Sequence, residues 1–416
     1  MLIEFRVENH RSLKTEQVLT MEAGRVDDDA TIPRTVPGYS KPLLPVAALY
    51  GANASGKSNV LSALEFMHQA VVDSHSKWKP DEGIPRDPFA WGPSRSSSSM
   101  YESDFIRDGI RYRYGFVVSD ECVEEEWLHA WPKGKQQTWF EREGQKFTFG
   151  DHLKGERRLI QDVTRPNALF LSVAHQHAHE QLNAVANWFY QVNWIDHDSI
   201  LHEKLVLGML SWSPRGGELL LELRELLAKA DVGITDLKMG AAPSQAGKII
   251  LKGGHLMTPD MTTILVRHMG AKEDEWLPLE SESKGTQTLF GMGRSLLFKL
   301  QYGGILLVDE LEASLHPKLA IEIIKQFNNP KTNPKNAQLI FTTHDTNLLG
   351  NDAGEPVLRR DQVWLTEKDK EGATVLYPLT DFKPRKPENL ERGYLQGRYG
   401  AVPYLGNFSL LGEGAT

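Results

Sequence analysis

Gly51-Ala52-Asn53-Ala54-Ser55-Gly56-Lys57-Ser58 is the stretch on which the reading of this chain turns. It fits G-x-x-x-x-G-K-[ST], and its surroundings fit as well. Leu43 to Tyr50 before it is an almost continuous apolar run, the mark of a strand buried on both faces. Asn59 to Val72 after it has helical spacing, with Val60, Leu61, Leu64 and Met67 on one side. Glycines let such a loop turn its N–H groups inward onto phosphate oxygens, and the positive end of the following helix points at the same anions. The motif therefore implies a nucleoside triphosphate cradled by Asn53, Ala54, Ser55, Gly56, Lys57, Ser58 and Asn59. Lys57 would bridge the β- and γ-phosphates, and the Ser58 hydroxyl would ligate Mg²⁺.

Three later signals fit the same chemistry. Gly304 to Val308 reads as a second buried strand and ends in Asp309-Glu310. Adjacent acids at a strand end diverge, so Asp309 can hold Mg²⁺ while Glu310 polarises the attacking water as general base. Gln338 to Thr343 is a third buried strand and ends in His344, where a γ-phosphate sensor is needed; a purely structural histidine is the other reading. Glu282-Ser283-Lys284-Gly285-Thr286-Gln287 opens a helix. There Ser283 and Gly285 suit an anion, and Ser283 is equally a good helix N-cap.

The wider sequence bounds the answer. The chain has 416 residues, 40% hydrophobic and 25% charged, which suits two or three folded units or one large α/β domain with an insertion. A net charge of −8 excludes a bulk basic field for nucleic acid or membrane. Cys122 is the sole cysteine, so no internal disulfide and no CxxC-type zinc site can form. The N-terminal run carries charges where a signal peptide needs an apolar stretch, and no window approaches the roughly 18–20 apolar residues of a membrane span. A cytoplasmic location without membrane contact is the expectation.

The four elements in this order resemble the head of ABC-type ATPases, in the chromosome-maintenance and DNA-repair branch whose nucleotide domain is split by a long insertion. Gly51–Ser58 is similar to Walker A, Ser283–Gln287 to a degenerate signature and Ile305–Glu310 to Walker B. Ala313-Ser314-Leu315-His316-Pro317 is similar to the D-loop, and His344 to the switch histidine. Val7-Glu8-Asn9-His10-Arg11-Ser12 resembles the segment that lies beside the nucleotide in that branch, which brings in Arg11. Closer still, the chain resembles compact AAA/ABC-hybrid ATPases of bacterial defence operons, the RloA or AbiL type. Asn167-Ala168-Leu169-Phe170-Leu171-Ser172 and the tail from Glu388 to Ala401 carry that likeness.

The resemblance implies an ATP- and Mg²⁺-dependent ATPase. Its fold would be a P-loop NTPase head of α/β class, with an antiparallel β subdomain and an inserted helical lid or arm. The N-terminal half of the head would span 1–165, the lid 166–265, and the C-terminal half with its tail 266–416. Ser283 and Gly285 would complete the site of another copy, so a homodimer or larger homo-oligomer is implied. An operon-encoded effector, RloB-like or a nuclease subunit, would be the other partner. The competing reading is a DNA-repair or recombination ATPase that binds DNA itself. The signature departs from Leu-Ser-Gly-Gly-Gln at Lys284 and Thr286, and no Q-loop glutamine can be placed.

Other constellations say less. His175 and His179 would share one face of a helix expected over Ala168 to Tyr190, a spacing zinc can use, although a polar helix face explains them as well. Asp196-His197-Asp198 lacks partners for a two-metal set. Residues 78–100, rich in Pro, Gly and Ser, read as a mobile loop. Lys383 to Tyr404 interleaves Arg385, Lys386, Arg392 and Arg398 with Tyr394, Tyr399 and Tyr404. That mix serves nucleic-acid binding, docking of a partner protein or simple packing, and all three stay open.

Overall fold

A computed structural model describes residues 1–195, 216–230, 233–241, 250–252, 255–257, 262–313, 315–352, 355–385 and 388–403. The fully buried strand Val46–Gly51 lies inside a six-stranded sheet. The order across that sheet is Thr374–Pro378, Val363–Lys368, Val46–Gly51, Gln338–Thr342, Ile305–Val308 and Val192–Ile195. Every pairing is parallel except the closing hairpin at the first edge. The apolar runs read from the sequence are therefore strands covered on both faces. Ala47 and Leu49 enter one core, while Val46, Ala48 and Tyr50 enter the other, as the two-residue period of a strand requires.

The first core lies under the helix Lys57–Asp73, which continues directly from the phosphate loop. Beyond it stands a seven-stranded antiparallel sheet, in the order Gln17–Thr20, Leu2–Glu8, Ser99–Arg107, Ile110–Val118, Val123–Trp131, Gln137–Glu143 and Lys146–Phe149. Its inward residues, among them Tyr112, Tyr114 and Phe116, are buried, whereas Arg111 and Arg113 pair outside with Asp104. The second core packs under the helices Lys284–Tyr302 and Pro317–Asn328.

The range 166–265, expected as a lid, divides in two. Residues 168–195 belong to the head, because their apolar residues fill the first core. The helices Phe170–Gln176 and Leu182–Phe189 pack on Lys57–Asp73, and Val192–Ile195 is an edge strand of the central sheet. The described remainder is the helix Gly216–Lys229 with a small antiparallel sheet of Ile234–Ala241, Thr262–His268 and Leu277–Pro278. The triplet Asp196-His197-Asp198 lies outside the described residues.

The helix expected over Ala168 to Tyr190 breaks at 177–181. Ala178 adopts a left-handed φ of 54°. His179 Nδ1 accepts the Leu182 N–H at 3.1 Å and so starts a new helix. His175, on the first helix, meets Asn183 instead. The two histidines therefore share no helix face. The loop expected to be mobile over 78–100 is tied down: the Asn9 amide donates to the carbonyls of Ser94, Ser97 and Ser98, and its oxygen accepts the Phe89 N–H. Arg86 adds bonds to Ser97, Ser99 and Asp120. A polar hub replaces the apolar contacts that the composition lacks.

Candidate nucleotide-binding site

The site lies at the carboxyl edge of the parallel strands, where α/β sheets place their ligands. Gly51 ends its strand opposite Thr366. A Cβ at Gly51 would fall 2.4 Å from both Ser55 Oγ and Thr366 Oγ1, so the strand can enter the loop only as glycine. At Gly56, φ is +104° and a Cβ would lie 2.1 Å from Thr374 Oγ1. Asn53 and Ala54 form the exposed crown of the loop, with Ala54 at φ 61°. The helix starting at Lys57 has no side-chain cap and no acid in its first turn. Its N–H groups and positive dipole end thus favour an anion.

The Lys57 ammonium donates back to the carbonyls of Gly51 at 2.9 Å and Ala52 at 3.1 Å. Burial holds its pKa below the ordinary lysine value, opposed by the charges of Glu310, Asp309 and Glu312. Two hydroxyls meet on one oxygen of Asp309: Ser58 donates to Oδ1 at 2.9 Å and Thr342 at 2.6 Å. Thr342 Oγ1 in turn accepts the Glu310 N–H at 2.7 Å. Glu310 itself is a non-glycine residue at φ 51°, which re-aims the chain just past the strand. His344 Nε2 stands 3.9 Å from Glu310 Oε1, with both side chains partly open to solvent. Ser58 thus meets Asp309, His344 stands near Glu310, and both acids act on the Lys57 charge, all at the carboxyl edge of the sheet.

Ser58 and Asp309 offer hard oxygen donors side by side, which fits Mg²⁺. That ion keeps several waters and takes one or two protein ligands together with substrate phosphates. Among the described residues no cluster of three or more His, Cys, Asp or Glu forms a closed metal cage.

Other expected residues lie elsewhere. Ser283 caps the helix Lys284–Tyr302, accepting the Thr286 N–H at 3.2 Å. With Gly285 it lines a cavity of about 600 Å³ shared with His316 and Lys318, whose described lining includes no phosphate-loop residue. Ser314 lies outside the described residues. Arg11, at φ 48°, pairs with Asp87 at 2.9 Å. Its neighbour Ser12 meets the loop instead. Asn59 donates to Ser12 Oγ at 2.6 Å, Ser12 and Thr374 hydroxyls meet at 2.7 Å, and Thr374 donates to the Ser55 carbonyl at 2.7 Å. With Thr374 donating to Ser55, Ser12 must donate to Thr374. The hydroxyls thus form one directed chain that braces the phosphate loop. Thr366 and Thr374 come from distant segments and no local motif marks them, whereas Ser12 closes the Val7–Ser12 segment expected beside the nucleotide. Tyr394 and Tyr399 are buried, Tyr394 edge-on to Tyr50, and so are unavailable for stacking on bases.

Residues 46–350 match the model of the family described as AAA domain, putative AbiEii toxin, Type IV TA system. The chain belongs to this AAA family. Membership supports ATP binding and hydrolysis, with the divalent cation typical of such ATPases. No curated protein matches the chain. Similar solved structures include the SMC head domain from Thermotoga maritima, at 14% identity and TM-score 0.40, covering 91% of this chain and 98% of that one. Another is the SmcHead bound to the C-winged helix domain of ScpA, at 12% identity and TM-score 0.45, covering 90% and 96%. A third is the Smc head domain with an extended coiled coil bound to the C-terminal domain of ScpA derived from Pyrococcus furiosus, at 12% identity and TM-score 0.42, covering 90% and 95%. Among the described residues no helix of this AAA-family chain is long and apolar enough to cross a membrane.

Proposed function

We propose that this chain is an ATP-driven head that pairs with a second copy and controls a separate effector in bacterial defence, as the RloA- or AbiL-like motifs imply. The observation that carries the reading is the meeting of Ser58 and Thr342 hydroxyls on Asp309 beneath the phosphate loop, with Glu310 beside it. Lys57 leaves its two loop carbonyls for the β- and γ-phosphates. Ser58 and Asp309 hold Mg²⁺, which supplies charge neutralisation at the phosphates when bound. Glu310 takes the proton of the attacking water, and His344, within reach of Glu310, senses the γ-phosphate. Ser283 and Gly285 of one copy face the nucleotide held by Lys57 of the other. Closure of the pair is the signal to the effector.

Direct DNA binding remains the second reading, and the burial of Tyr394 and Tyr399 weighs against a stacking surface in the tail. It predicts a steep loss of DNA affinity with salt. The test of the first reading is Glu310→Gln. With ATP and Mg²⁺ its mass by light scattering should double while turnover falls at least about 100-fold. Normal turnover in this variant removes Glu310 from the role of base.

A further inference from the structure

Beyond the residues that face ATP, Glu312 ties two parts of the site together. The last ladder bond of the strand Gln338–Thr342 region is Thr343 N–H to Leu49 O, at 3.1 Å. The next amide, of His344, has no strand partner left. Glu312 takes it: the His344 N–H donates to Glu312 Oε1 at 2.6 Å, across 32 residues of sequence. A bond to a carboxylate is shorter and about twice as strong as one between neutral groups. The other carboxylate oxygen of Glu312 is buried without a hydrogen-bond partner, so the side chain has one anchor point and it is His344.

The backbone of Glu312 belongs to a different element. The Ala313 N–H donates to Glu310 O at 2.8 Å and the Leu315 N–H to Glu312 O at 2.9 Å, closing a tight turn directly after Glu310. That turn leads to His316 and Lys318, which line the outward cavity with Ser283 and Gly285. One carboxylate thus joins the outward turn to the residue whose imidazole stands beside Glu310.

We propose that Glu312 is a positioning residue: it fixes the backbone of His344, so that movement of the outward turn is felt at the histidine beside Glu310. This rests on the reading of the site as an ATPase centre. A merely structural glue would stabilise the turn without acting through His344.

The test uses the full chain, with Glu312→Ala, Glu312→Gln, His344→Ala and the double variant. Glu312→Ala should lower kcat about 30-fold while the Kd for ATP changes less than about tenfold, because Glu312 acts on Lys57 only through its charge. Glu312→Gln keeps an oxygen for the amide and should retain at least about a third of kcat. In the His344→Ala background, Glu312→Ala should cost less than about threefold more, since residues acting as a unit are not additive. Hydrogen exchange of the ligand-free protein should speed at least about tenfold at the His344 amide in Glu312→Ala. Full multiplicative losses in the double variant, or unchanged exchange at His344, would overturn the proposal. If the wild type shows no Lys57-dependent turnover, the ATPase reading itself falls. The exchange measurement then still decides the anchor: faster exchange supports it, and an unchanged rate overturns it.

Discussion

The phosphate-loop edge and the start of the helix Lys284–Tyr302 are both anion-facing by chemistry, yet they are built in opposite ways. At the loop, Ser55, Lys57, Ser58 and Asn59 are each held by hydrogen bonds to other elements or to the loop itself. The strand, the hairpin from Val363 to Pro378 and the turn at Ser12 all converge on it. At the helix start, Ser283 is exposed, and among the described residues its hydroxyl bonds only to Thr286. Lys284 sits exposed in the first turn, where the helix dipole disfavours a cation. The difference teaches that the loop is a finished half-site within one chain. The helix start lacks such bracing, and in the proposed function it is the part that a second copy completes.

Short of removing Lys57 or Glu310 themselves, the largest effect expected from breaking the finished half comes from Thr342→Val. It removes a donor to Asp309 and leaves the Glu310 N–H without its partner. Loss of a buried partner costs about 1–3 kcal/mol, and kcat should fall about 100-fold with the fold intact by circular dichroism. Unchanged kcat would mean that Asp309 and Glu310 need no aiming by Thr342.

Ser283→Ala sharpens the comparison. As a cap it should cost about 1 kcal/mol in urea unfolding. ATP affinity of the single chain should stay within about twofold, while turnover falls more than about tenfold, the mark of a residue acting on another copy's nucleotide. Weakened ATP binding by the isolated chain would instead place Ser283 at its own loop.

A smaller effect concerns pH. His10, buried between Tyr101 OH and Ser62 Oγ at 2.9 Å each, has its pKa pushed down to about 3 by burial. The folded state keeps it neutral, whereas the unfolded chain protonates it below about 6.5. Its contribution is therefore present above pH 6.5 and is lost as pH falls toward 3, by up to about 1.4 kcal/mol per unit. His10→Gln should flatten the fall of urea stability between pH 6.5 and 5; an unaltered slope would assign the acid sensitivity to other groups.

Much of the loop half was legible because its information is local. Glycine, lysine and serine spacing, flanked by a buried strand and a helix, identifies Gly51–Ser58, and acids or a histidine at the ends of apolar strands identify Asp309, Glu310 and His344. What was not legible is tertiary. Thr366 and Thr374 meet the loop from far along the chain, and a lone Thr carries no signal of that; Ser12 belongs to the Val7–Ser12 segment, whose likeness pointed to Arg11 instead. Residues 168–195 read as insertion because they follow the antiparallel strands, although their apolar residues fill the space under the helix Lys57–Asp73. Asn9 orders a Pro- and Ser-rich loop by hydrogen bonds that composition does not reveal. Tyr394 and Tyr399 of the tail, candidates for a binding face, are buried instead, and Tyr404 lies outside the described residues.

The direct test of two half-sites is complementation in a mixture. Lys57→Ala damages the loop half and Gly285→Asp the outward half, and each variant alone should be inactive. If the halves meet between copies, a 1:1 mixture forms heterodimers with one intact composite site, and ATP turnover should return to about a quarter of the wild-type rate. A mixture as inactive as its two components would contradict the account.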